Sequence, residues 1–240
     1  MRCRSISGTG TRRFPNAAVE RGPGQPQISE DLRRRLALLD QVQRVTDLPV
    51  GYLLRPPVTL FMDGFVDGVA KYNEVHGTAV VALGWDKATQ DGVFTGDFED
   101  INKGLTTAQA FIDQGADVIL PVAGQVGEGA ARAALDSGTA SIIWVDSDGY
   151  DTLSPDFRPV LLTSVLKNTG SAVVEIVKTS IDDTFDNAPF IGTLENGGVG
   201  IAPFHDLAPR VSAELSAEID QLRSDIVAGT IVVTSPSTPR

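Results

Sequence analysis

From Val58 onward the chain switches repeatedly between two hydrophobic rhythms. Phe61, Phe65 and Val69, flanked by Met62, Val66 and Ala70, recur at the period of a helix with one apolar face. Asp63 and Asp67 fall on the other side of that wheel and are expected to face water. The run TAVVALG and a long Asp- and Gly-rich loop follow, and Ile101, Leu105, Ala108 and Ile112 then restore the helical period up to a closing Gly115. ADVILPV and SIIWVD are short unbroken apolar runs, the pattern of strands buried on both faces. Between them AGQVGEG turns the chain into a helix ending at Gly138. Beyond lie a third such run, VLLTSVL, a helix around Ser171 to Ser180, a hairpin turning at Gly197-Gly198, and a helix from about Pro209 to Ala228. The stripe of that last helix is Val211, Leu215, Ile219, Leu222 and Ile226. Strands alternating with helices predict an α/β fold: a parallel sheet flanked by helices, with right-handed crossovers. No internal repeat is visible, which argues against a solenoid or propeller.

Composition adds a boundary. The 240 residues are 42% hydrophobic and 21% charged, enough for a sizeable core in one large or two small domains. The net charge of −11 is unevenly spread. Residues 1–57 hold ten Arg, no Lys and five acids, whereas residues 58–240 hold ten basic residues against 26 acids. The first segment reads as a disordered or misread Arg- and Pro-rich arm with one short helix from about Ser29 to Val45. The acidic remainder argues against a nucleic-acid partner, which needs a basic footprint. One cysteine, Cys3, and two histidines, His76 and His205, leave no internal disulfide and little for a metal site, so no metal or cofactor is expected. No apolar run reaches membrane-spanning length. The N-terminus is basic and polar without the apolar core of an export signal.

Open parallel sheets bind ligands beyond the carboxyl ends of their strands. The loops there carry Asp86, Asp91, Asp97, Asp100, Gly124, Gly127, Asp146 and Asp148. Carboxylates and open backbone amides suit a ligand rich in hydroxyls, such as a sugar or ribose, and would repel a phosphate. Residues 124–129 also invite an NAD(P)-dependent oxidoreductase, with Asp146 placed as a ribose-binding acid; but Gly124, Gly127 and Gly129 run G-x-x-G-x-G, the reverse of the dinucleotide fingerprint. Ser164 and Lys167 resemble the S-x-x-K of serine acyl enzymes without its companion motifs. His205 as a base, and Asp146 with Asp148 as calcium ligands, lack the supporting spacing of a nucleophile elbow or an EF-hand loop. Trp144, inside an apolar run, is expected in the core; Trp85 fits either the core or a stacking platform.

Taken together, FMDGFVDGV, GDFEDINKG, QGADVILPVAGQVGEGA, WVDSDGYD, LLTSVLK and LENGGVGIA fall in an order that resembles the BMP family, the basic membrane lipoproteins related to PnrA purine-nucleoside receptors. The likeness covers about Val58 to Val233. It implies the substrate-binding component of a bacterial ABC importer with a type I periplasmic-binding fold: two α/β lobes joined by a hinge, a nucleoside-like solute, in the family's terms a purine nucleoside, clamped between them, and no catalysis. Residues 58–160 would supply mainly one lobe, 161–233 the hinge crossover and returning segments, and 234–240 a tail. By resemblance Asp146 holds ribose hydroxyls, Lys167 is its cationic neighbour, Gly124 brings backbone close to the ligand, and Asp148 joins the same site. Many members carry an aromatic residue just before the glycine loop, where this chain has Leu120, Pro121 and Val122. The family's export signal, lipid-bearing cysteine and most of the first lobe have no counterpart in residues 1–57, so a second lobe with an incomplete first, weak in binding, is expected. The family implies a lipoprotein at the plasma membrane partnered by a permease and an ATPase. A ligand-sensing regulator core is a second alternative, although residues 1–57 show no helix-turn-helix.

Overall fold

In a computed structural model the chain is described for residues 38–42 and 55–238. Its centre is a six-stranded sheet, and the chain builds it in the order that follows. Strand β1 (Leu38–Val42) is followed by helix α1 (Arg55–His76), the short strand β2 (Ala82–Leu83) and a small hairpin of β3 (Trp85–Asp86) and β4 (Asp91–Gly92). Helix α2 (Ile101–Ile112), β5 (Val118–Val122), α3 (Val126–Ser137) and β6 (Ser141–Asp146) form the β-α-β core. A short helix α4 (Gly149–Thr152) and a 3-10 turn lead to β7 (Leu161–Lys167), then α5 (Thr169–Ile181), β8 (Val199–Ile201), a second 3-10 turn (His205–Arg210) and α6 (Ala213–Val227). The strand order is β2-β1-β5-β6-β7-β8, parallel throughout except for β8, which runs antiparallel along the β7 edge.

The α/β architecture with a parallel sheet is therefore as the periodicity predicts, with two local differences. Leu38–Val42, expected within a helix, is a strand paired with both β2 and β5. Hydrogen bonding along both edges overrides the helical periodicity read from the local sequence. The turn at Gly197-Gly198 makes no hairpin: it delivers β8 to β7 instead. Asn196 organises that turn, its Oδ1 accepting from the backbone N–H of Thr193 (2.8 Å) and of Gly198 (2.9 Å), while Gly197 takes a left-handed φ of 68°.

All five residues of β5 are buried, so both faces of the sheet are covered. Ile119 and Ile142 pack under α2 and α3, while Leu120, Val122 and Val145 pack with Met62 of α1 and with Trp85. The contact between α2 and α3 is made by missing side chains. A Cβ on Gly104 would lie 1.9 Å from the Val126 carbonyl oxygen, and one on Gly129 would lie 2.0 Å from that of Ile101. Trp144 fills a slot between two more glycines, with a Cβ on Gly127 falling 2.7 Å and one on Gly149 2.8 Å from its ring. Trp144 is a core residue, as expected, and its indole rather than any phosphate explains Gly127 and Gly149.

Asp63 departs most from the amphipathic reading of α1. It is fully buried, not solvent-facing. Its Oδ1 accepts from Trp85 Nε1 and from Gln90 Nε2, both at 2.9 Å, and its Oδ2 accepts from Ser235 Oγ at 2.6 Å. One carboxylate thus ties α1 to the β3–β4 hairpin and to the C-terminal segment, and Trp85 is a core residue rather than a stacking platform. Burial of a carboxylate is tolerated because donors replace its water. Asp67, on the next turn, stays partly exposed and receives Lys87 Nζ at 2.6–2.7 Å, and the same ammonium donates to the Thr234 carbonyl.

These contacts predict four stability outcomes by urea unfolding. Gly129→Ala adds helix propensity but drives a methyl into backbone, so it should destabilise by about 1–3 kcal/mol. Gly68→Ala in α1 meets nothing within 4 Å, and should stabilise by about 0.5–1 kcal/mol. Asp63→Ala strands three donors and should cost roughly 3–5 kcal/mol, against about 1 kcal/mol for the half-buried Ser235→Ala. Equal costs for Asp63→Ala and Ser235→Ala would disprove the tether.

Candidate functional site

The carboxyl ends of β5, β6 and β7 lie side by side, β5 running into the exposed Gly124 turn and β6 and β7 each ending in a charged residue. Asp146 is the last residue of β6 and Lys167 the last of β7, and the register of the two strands pairs Asp146 with Leu166. Their side chains meet: Lys167 Nζ lies 2.6 Å from Asp146 Oδ1. Asp146 holds a left-handed backbone, φ 70°, where Asp and Asn are tolerated better than most residues. The Lys167 ammonium also stands 4.6 Å from the centre of the Phe61 ring, a cation–π contact that fixes it from the α1 side. The pair is solvent-accessible, with side-chain exposures of 57% for Asp146 and 37% for Lys167. A pair this open adds about 0–1 kcal/mol to folding, so the fold does not require it.

Gly124 lies two residues past the end of β5, exposed, with φ 55°. Phe98 flanks it, close enough that a Cβ on Gly124 would lie 3.5 Å from the ring. Phe98 is half-buried. It sits in the GDFED segment, and sequence reasoning looked for an aromatic only just before the glycine loop. The signal that could have found it is an aromatic set between the acids Asp97 and Glu99 of a strand-end loop.

Asp148 is drawn into a different network. It caps α4, accepting from the Tyr150 N–H at 3.1 Å, and its Oδ2 lies 2.8 Å from His205 Nε2. Buried Ser164 donates to its Oδ1 at 3.4 Å while accepting from the Gly149 N–H at 2.9 Å. The His205 ring stacks on Tyr150 at 4.1 Å and the Arg158 guanidinium lies 4.3 Å from the centre of the same Tyr150 ring. Tyr150 donates to Asp206, and desolvation, reinforced by that carboxylate, raises its phenol above the ordinary range. His205 thus anchors the second 3-10 turn to the loop after β6. Ser164 and Lys167 of the S-x-x-K match have separate partners.

The remaining acids are held by their own loops. Asp86 accepts from the Ala88 and Thr89 N–H groups, which lower its carboxyl below the ordinary value. Asp97 is bonded by Lys103 and by the Asp100 and Glu99 N–H groups, and the lysine first of all brings it down to about 2. Asp100 caps α2. Asp91 accepts from the Gly92 N–H. Of the eight rim residues, Asp146 alone forms an open ion pair, with Lys167; Gly124 makes an exposed turn, Gly127 packs on Trp144, and the other five acids spend their oxygens on turns, caps and the His205 contact. Among the described residues no group of three His, Cys, Asp or Glu side chains could hold a metal ion.

Comparison with known proteins agrees with this fold. The family model described as "ABC transporter substrate-binding protein PnrA-like" matches residues 53–237. Basic membrane protein A of Borreliella burgdorferi is 32% identical over 146 residues, 59% of this chain and 41% of that protein. Among solved structures, an ABC transporter solute-binding protein of Aeropyrum pernix K1 superposes with a TM-score of 0.66 at 20% identity, covering 87% of this chain and 63% of that one. A second such protein, from Conexibacter woesei, gives 0.60 at 17% identity, over 85% and 62%. The chain thus spans well under half the length of the curated relative and under two thirds of the two structures. The match over residues 53–237, more than half of the chain, carries one conclusion: the chain belongs to the PnrA-like family of ABC transporter substrate-binding proteins.

Proposed function

We propose that the chain binds a ribose-bearing solute, a purine nucleoside, at the carboxyl ends of β5, β6 and β7, as the receptor of an importer whose permease and ATPase lie at the plasma membrane. The observation that carries this reading is the exposed ion pair of Lys167 with Asp146, 2.6 Å apart at adjacent strand ends. A vicinal diol suits that pair. Each hydroxyl can donate to the carboxylate and accept from the ammonium, so the solute enters without stranding either charge. Phe98, half-buried against the Gly124 turn, offers a flat face for a base, replacing the aromatic absent at Leu120, Pro121 and Val122. A phosphate is disfavoured because the one lysine at the strand ends already carries a carboxylate. The reading is binding rather than catalysis, in keeping with a substrate-binding family. The glycines at 127 and 129 are filled by Trp144 and α2, which removes the support for a dinucleotide loop. Asp148 is proposed to act on the site indirectly, by shaping the turn that follows Asp146, and residues 161–233 to carry the chain out of this lobe and back.

Calorimetry with inosine, adenosine, uridine, adenine, ribose and NAD tests the reading. A purine nucleoside should bind and raise the melting temperature. Asp146→Asn keeps the shape and the left-handed backbone but not the charge, and Lys167→Met keeps the stem. Each should weaken binding at least about tenfold, roughly 1.4 kcal/mol, and leave unliganded stability within about 1 kcal/mol. Phe98→Ala should weaken nucleoside far more than ribose. Nucleoside affinity indifferent to both charge variants would disprove the site, and a response to NAD alone would disprove the function.

A further inference from the structure

A cavity lies toward the opposite end of the same strands from the Asp146–Lys167 pair. α1 and α6 straddle the sheet face near the start of β5, β6 and β7, leaving a cavity of about 380 Å³ between them. That volume lies within the ~300–1,000 Å³ of small-molecule sites. Its floor includes Val118, Ile143 and Leu162, and one wall is the predicted stripe of α6, Leu215, Ile219 and Leu222. The hydroxyl of Thr163 on the floor is already committed to the Ala202 carbonyl at 2.7 Å. The stripe is only half-buried and α6 has no fully buried residue. An apolar cavity of this size forfeits packing when empty and takes apolar guests rather than water.

Charge is confined to the lining residues Lys71, Glu218 and Arg210. Lys71 is paired with Glu74 at 3.0 Å, and Glu218 with His76 at 2.9 Å, which joins α6 to α1. Arg210, exposed at the end of the second 3-10 turn, has no ion-pair partner among the described residues. One apolar chamber with, at its margin, one guanidinium that is unpaired among the described residues complements an apolar chain ending in an anion. We infer that this cavity binds a small amphipathic monoanion, a medium-chain fatty carboxylate, with its chain against Leu162, Leu215 and Ile219 and its carboxylate on Arg210. The site is separate from the strand-end pair: Val118, Ser141 and Leu162 stand near the starts of strands whose far ends lead to Gly124, Asp146 and Lys167.

Calorimetry of the full chain with decanoate, below its micellar concentration, should show saturable one-to-one binding. Arg210→Glu should weaken it at least about tenfold, while the affinity for 1-decanol, which has no charge, changes less than about twofold. Leu215→Trp fills the chamber and should abolish both ligands while the chain still melts cooperatively; if that variant does not fold, Leu222→Phe serves the same purpose. Saturating nucleoside should leave decanoate affinity unchanged. The inference is overturned if decanoate does not saturate, if Arg210→Glu leaves its affinity unaltered, if nucleoside competes with it, or if gel filtration shows the groove closed by a second copy that decanoate does not displace. Because decanoate and nucleoside are scored separately, loss of either result leaves the other standing.

Discussion

The closest constraint in the molecule is the crossing of α2 and α3, where backbone meets backbone at Gly104 and Gly129 with no room for a methyl group. Its effects run along the chain to the site. Holding α3 against α2 fixes Gly127 at the start of α3, and Gly127 is one jaw of the slot that holds Trp144. Gly149, opening α4, is the other jaw. Trp144 therefore fixes the end of β6 between two helices. Asp146, two residues on, is held at a left-handed φ of 70° by elements that are themselves fully packed. A strained conformation persists only where its surroundings over-determine it, and the glycine-lined packing around Trp144 is that surrounding. The packing around Trp144 thereby places the backbone of Asp146, and its carboxylate meets Lys167 at 2.6 Å.

Much of this was legible in the sequence. The unbroken apolar runs of β5, β6 and β7 can be read directly because parallel strands are buried on both faces, and the helices between them keep their period. Gly138 ends α3 in a left-handed conformation, φ 64°, as its place after the last apolar residue implies. The failures share one cause. Leu38–Val42 is a strand because two distant strands pair with it, and Asp63 is buried because an indole, an amide and a hydroxyl from remote segments reach it. No periodicity within a single segment carries information about partners far along the chain. A rule that places acids on the wet side of a helix fails wherever tertiary donors replace water.

The candidate site was legible in outline and less so in its division of labour. Eight Asp and Gly residues at strand ends look equivalent in a string of letters. In three dimensions Asp86, Asp91, Asp97 and Asp100 satisfy their own backbones, a role short acidic side chains take in turns and at helix starts. Asp148 is taken by His205, Ser164 and Tyr150. Phe98 escaped notice because it reaches Gly124 from another loop. What separates Asp146 from the other carboxylates is its partner: a lysine at the carboxyl end of the neighbouring strand and open to solvent.

That partner also stands at the limit of the packed sheet. Lys167 ends β7, and the next helix, α5, has no buried residue. Val173, Val174, Val177 and Ile181 along it are exposed. The chain thus leaves the packed sheet immediately after the ammonium. Asp146 is anchored through Trp144, whereas Lys167 is held mainly by the ion pair itself, by Phe61 and by the ladder to β8, where Lys167 pairs with Val199. The exposed pair thus stands where the packed sheet gives way to a helix with no buried residue, and its openness means that it forms at little cost to the stability of the fold.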